Sequence, residues 1–67
     1  MNMLNLSERI ISYEQGEGDA NDTLNLFADL VSTGMVWGLQ GHYGRTAQYL
    51  MDKGYLDISG NILKDAQ

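Results

Sequence analysis

Leu39-Gln40-Gly41-His42-Tyr43-Gly44-Arg45-Thr46-Ala47-Gln48-Tyr49-Leu50-Met51-Asp52-Lys53-Gly54-Tyr55-Leu56 carries the clearest helical pattern in this chain. Tyr43, Ala47, Leu50 and Gly54 recur at steps of three and four, with Thr46 and Met51 at the edges, which is the stripe of a core-facing helix. His42, Arg45, Tyr49 and Asp52 recur at the same steps on another face. Gly54 suits the left-handed position just past a helix end, where a Cβ would clash. Tyr55 or Leu56 is then expected to fold back on the last turn. The start of this helix is less regular, because Gly38, Gly41 and Gly44 each cost a helix about 1 kcal/mol relative to alanine. Two readings follow: a helix that begins late, near His42, or glycines that let another group approach closely.

Working back along the chain, Leu24, Phe27, Ala28 and Val31 form a second stripe, which Leu26 and Leu30 broaden. That width calls for more than one packing neighbour. This helix is expected from about Asn21 or Asp22 to Thr33, with Gly34 as its C-terminal stop. The first helix is expected from Asn5 or Ser7 to about Gln15. Asn5 and Glu8 have the spacing of a capping box, and Leu6 and Ile11 that of a hydrophobic staple around Ser7. Leu6, Ile10 and Tyr13 share its apolar face, Ile11 widens it, and Gly16 ends it. The stretch Gln15–Asp22 between the two helices reads as a loop. Its acids suggest calcium, but Leu24 and Leu30 fall where an EF-hand needs glycine and glutamate, so the acids are read as helix caps.

Met35-Val36-Trp37-Gly38-Leu39 reads as a short apolar turn that packs Trp37 and Leu39 into the core. After Gly54, Ser59-Gly60-Asn61 is turn chemistry between apolar residues, and a short β-hairpin is expected with Leu56 and Ile58 facing Ile62 or Leu63. The expected architecture is mainly α. It is one compact three-helix domain over residues 1–67, with a short apolar turn between helices two and three and a C-terminal hairpin. Residues 1–4 and 65–67 are expected to fray. Winged-helix proteins and three-helix modules of the ubiquitin-associated kind share this order of elements.

Composition bounds the function. At 67 residues the chain is one domain, and a core this small supplies about 3–5 kcal/mol. It has no cysteine and one histidine, so neither a disulfide nor a structural zinc site is available. Self-association is one way to gain further burial. No apolar run reaches the ~18–20 residues that span a bilayer, and Met1–Asn5 lacks the pattern of a signal peptide. A cytoplasmic protein with no membrane partner is expected. The net charge is −5, and its placement is uneven. Residues 1–29 hold six acids and one base (−6 + 1 = −5), whereas residues 30–67 hold three of each (−3 + 3 = 0). An acidic surface repels phosphate, which argues against nucleic acid as a partner and fits a basic protein surface.

No catalytic constellation stands out. No serine has nucleophile-elbow spacing toward His42, and Gly38, Gly41 and Gly44 match neither phosphate-loop pattern. The chain is read as a non-enzyme that needs no cofactor and no metal. A glycine-rich helix start with His42 and Arg45 fits a small anion or nucleotide, and a helix with Arg45, Thr46, Gln48 and Tyr49 fits a winged-helix regulator. The leading surface is a protein-binding one made of Gln40, His42, Arg45 and Tyr49 with Trp37, because tyrosine and arginine together anchor interfaces. Arg45 is also a candidate ion-pair partner of Asp29 or Asp52.

Three segments resemble a group of small, uncharacterised tailed-bacteriophage proteins. They are Glu8-Arg9-Ile10-Ile11-Ser12-Tyr13-Glu14-Gln15-Gly16-Glu17, then Leu30-Val31 with Gly34, then Trp37 to Ala47, a W-x-L-Q-G-H-Y-G-R-T-A motif. Gly38 stands where the group carries a larger residue. The resemblance covers most of residues 6–56. It implies a phage origin and an accessory role in the host cell, with a host or phage protein as partner, and it brings no activity and no catalytic residue.

Overall fold

The structure, a computed structural model, describes residues 5–65. Among the described residues three helices form: α1 over Leu6–Glu14, α2 over Ala20–Thr33 and α3 over Gly41–Asp52. A single 3₁₀ turn, Met35–Gly38, joins α2 to α3. The expected fraying at residues 1–4 and 66–67 lies outside the described residues.

Local chemistry fixes the helix ends. Asn5 starts α1 with a capping box: its side chain accepts from the Glu8 amide at 2.8 Å, and the Glu8 carboxylate accepts from the Asn5 amide at 3.4 Å. Asp19 and Asp22 build the same box on α2, so α2 begins at Ala20, slightly before the expected Asn21 or Asp22. At the end of α1 the Glu17 amide donates to the Ser12 carbonyl and the Gly16 amide to that of Tyr13, with Gly16 at φ +79°. At the end of α3 the Tyr55 amide donates to Leu50 and the Gly54 amide to Met51, with Gly54 at φ +82°. Both are Schellman closures, which need a left-handed residue at C′. Gly34 stops α2 at φ +80°.

The core is built on α2. Leu24, Leu26, Phe27, Ala28, Leu30 and Val31 are all buried, and Val36, Tyr43, Ala47 and Leu56 complete the cluster. Three aromatic rings lock the helices together. Tyr13 of α1 meets Phe27 of α2 edge-on at 5.4 Å and Tyr43 of α3 at 5.7 Å, while Phe27 and Tyr43 stack at 5.8 Å. Such pairs add to the area they bury. The Tyr43 hydroxyl donates to Glu14 Oε2 at 2.7 Å, which ties α3 to the end of α1. Burial and the Glu14 carboxylate together push the Tyr43 hydroxyl well above its ordinary pKa.

The glycine-rich segment delays α3, which begins at Gly41, beside the expected His42. Two expectations are corrected. Ile11 does not widen the buried face of α1 and is 53% exposed. The 3₁₀ turn buries Val36 rather than Trp37. In a turn of about three residues, i and i+3 share a face. Val36 and Leu39 therefore point at the core, and Trp37 is turned out to solvent, 57% exposed.

Where a C-terminal hairpin is expected, the described residues form one antiparallel bridge, Leu56 with Ile62. The Asp57 amide donates to the Asn61 carbonyl at 3.0 Å and the Leu63 amide to that of Tyr55 at 2.8 Å. Ile58 faces solvent rather than Ile62 or Leu63. The loop is shaped by Asp57, whose carboxylate accepts from the amides of Ser59 and Asn61 and from Asn61 Nδ2. These donors, the Asn61 side chain first, lower the Asp57 pKa. Gly60, at φ +90°, lies directly on α2: a Cβ there would stand 2.6 Å from the Ala28 carbonyl oxygen and 2.7 Å from the Ser32 nitrogen.

Three measurements check this account. Tyr43→Ala is expected to cost about 3–5 kcal/mol, as much as a core of this size supplies; circular dichroism should show an unfolded chain, whereas Tyr43→Phe loses only about 1 kcal/mol. Gly60→Ala should lift the loop from α2 and cost about 2 kcal/mol or more in a urea titration; an unchanged midpoint would refute the docked loop. Because the folded pKa of Asp57 is depressed, its contribution is present above the ordinary carboxylate range and lost as pH falls through the folded value. The Ser59 and Asn61 amide resonances should therefore shift together below about pH 4, and in Asp57→Asn they should not.

Candidate functional site

With Tyr43 and Ala47 turned to the core, α3 leaves its opposite side to solvent. At about 100° per residue, His42, Arg45 and Tyr49 fall on one flank of that side. Gly44 falls on the other flank, about 140° from Tyr49. The five residues singled out in the sequence therefore do not form one patch. Arg45 and Tyr49 are neighbours on the first flank, with His42 at its border. Trp37 reaches α3 from the 3₁₀ turn and lies over the second flank, its ring carbons Cζ3 and Cε3 3.7 and 3.8 Å from where a Gly44 Cβ would stand.

The residues differ in setting. His42 is half-buried, and its ring lies 4.2 Å from that of Tyr43, tilted by 38°. Tyr49 is 56% exposed, and Lys53 Nζ sits 5.7 Å from its ring centroid. That is within cation–π range and screened by solvent. Arg45 is exposed, and its Nη1 lies 3.1 Å from the Cβ position of Gly41. The acids expected to pair with it are otherwise engaged. Asp29 pairs with Arg9, and Asp52 accepts from Gln48 Nε2 at 3.1 Å. Among the described residues Arg45 makes no ion pair, so its guanidinium keeps its donors for other partners. Gln40 begins α3 and is exposed; its side chain does not cap the helix, whereas α1 and α2 each begin with a capping box.

The glycines of this segment have separate roles. Gly44 lets the indole of Trp37 lie against the helix, a close approach made within the chain itself. Gly41 leaves room for the folded-back Arg45 side chain. Gly38 has nothing within 4 Å of its Cβ position.

Further apolar residues are exposed: Met35 at 41%, Ile58 at 84%, Ile62 at 42% and Leu63 at 58%. Ser59-Gly60-Asn61 marks the loop that displays Ile58, but the outward direction of Ile58 depends on Gly60 docking against α2. No group of three or more histidine, cysteine or acidic side chains is placed to hold a metal among the described residues. No helix among them is long and apolar enough to cross a membrane.

Fold and surface together define a small helical domain that buries its core on one central helix and displays aromatic and cationic side chains along another. The chain belongs to the family described as "Domain of unknown function (DUF7417)", whose match runs over residues 1–67. No curated protein and no solved structure matches it.

Gly44→Ala tests the packing of this surface. A Cβ there would make ordinary contact with the Trp37 ring, so the helix gain of about 1 kcal/mol should appear as a higher denaturation midpoint. A lower midpoint would mean that the indole sits closer to α3 than the structure places it.

Proposed function

We propose that this chain is a small bacteriophage accessory protein that acts in the host cytoplasm by binding a host or phage protein. The observation that carries the reading is the exposed Trp37, held against Gly44 beside an α3 surface that presents Arg45 and Tyr49. Tryptophan, tyrosine and arginine are the residues that dominate binding energy at protein interfaces. A rigid indole, already packed on one side, loses little conformational freedom on binding. The phage origin rests on the resemblance carried by Trp37 to Ala47.

Charge narrows the partner. The acids of the first half lie on α1, the following loop and α2, and a basic protein surface fits them better than a phosphate backbone. A winged-helix regulator has less support: the described residues supply a bridged loop in place of a two-stranded wing.

Affinity capture from host lysate tests the reading with three baits: wild type, Trp37→Ala, and Arg45→Ala/Tyr49→Ala. Both variants alter exposed side chains, and their stabilities should stay within about 1 kcal/mol of wild type. One stoichiometric protein captured by wild type and lost with either variant would support the proposal and identify the flank in use. Equal capture by all three would sink this surface, and no specific capture by wild type would sink the host-protein reading.

A further inference from the structure

α1 is attached differently from the other elements. None of its side chains is fully buried, whereas α2 has six buried residues and α3 two. Its apolar face reaches the core only through the partly buried Leu6, Ile10 and Tyr13. Two polar ties add to these: the Arg9–Asp29 pair, with side chains 26% and 53% exposed, and the Tyr43–Glu14 hydrogen bond. A solvent-exposed ion pair contributes little, and a helix of nine residues is marginal alone in water. The connection to α2 is short and contains two left-handed glycines, Gly16 at φ +79° and Gly18 at φ +88°. By contrast, α2, the 3₁₀ turn, α3 and Leu56 supply every fully buried side chain among the described residues.

We infer that α1 opens as a separate cooperative unit, swinging about Gly16–Gly18 while α2, the 3₁₀ turn and α3 stay packed. The elements of least buried contact open first in native proteins. When α1 leaves, Tyr13 comes off Phe27 and Tyr43, and the Tyr43 hydroxyl loses Glu14. The opened form exposes an aromatic face that the closed form hides. The opening leaves the Trp37 and Arg45–Tyr49 surface in place, because the 3₁₀ turn and α3 that carry it stay packed.

Native-state hydrogen exchange on the full chain, followed by NMR, tests the inference. The amides of Ile11 to Glu14 should exchange at least roughly tenfold faster, after correction for intrinsic rates, than those of Phe27 to Val31. Equal protection in the two sets would overturn it, since α1 would then open only with the whole domain. Val36→Ala provides the second arm, because Val36 is buried among the elements that stay packed when α1 opens. It should raise exchange at Phe27 to Val31 by at least roughly fivefold and leave that of Ile11 to Glu14 nearly unchanged. A matching rise in α1 would overturn the inference.

Discussion

Six of the fourteen residues of α2 are buried, and they point in more directions than one neighbour can cover. From Leu26 through Leu30, Phe27, Val31 and Leu24 to Ala28, they occupy about 200° of the helix circumference. A single packed helix covers a stripe of roughly half that width. The remaining elements are placed by this constraint. α1 lays Tyr13 against Phe27, α3 lays Tyr43 against the same ring, and the 3₁₀ turn brings Val36 back beneath the end of α2. The C-terminal loop closes the last gap by setting the backbone of Gly60 against Ala28 and Ser32.

How much of this is legible in the sequence follows from the range of each interaction. Helix boundaries depend on residues three or four positions apart, so they are visible locally. The Asn5–Glu8 box, the stops at Gly16, Gly34 and Gly54, and the return of Tyr55 all occur where the pattern puts them. The α2 start is hidden by one or two residues because Asp22 takes the role that the box pattern gives to glutamate. Trp37 and Ile58 are different. Composition favours a buried tryptophan in so small a chain, yet the winding of one turn decides whether Val36 or Trp37 faces inward. Likewise, the alternation around Ser59-Gly60-Asn61 fits a hairpin, but the loop is captured by the backbone of α2, and contacts across that distance in sequence leave no local mark. The candidate surface is legible as a set of residue types, while its division into two flanks required the position of Trp37.

The loop at Asp57 shows how a short segment without strands holds its shape. One carboxylate accepts from two amides and a side-chain amide, and the chain then bends at Gly60 without a Cβ. Charge-assisted hydrogen bonds are stronger than neutral ones, which suits an exposed loop with little apolar burial. The segment nevertheless matters to the core, because Leu56 just before it is 1% exposed.

The exposed tryptophan is the feature that stability alone does not explain. A tryptophan can bury about 150–250 Å², and at about 25 cal/mol/Å² that area is a substantial fraction of what a domain of this size holds in total. Leaving Trp37 at 57% exposure forgoes much of it. The helix beneath the ring also carries Gly44 in its interior, less favourable than alanine by about 1 kcal/mol. Two departures from the most stable arrangement thus meet at one place, where the ring of Trp37 lies over Gly44. Sequences depart from local rules mainly at functional sites. The same argument does not reach Ile58: it is more exposed than Trp37, but it sits on a loop whose shape is already accounted for by Asp57 and Gly60.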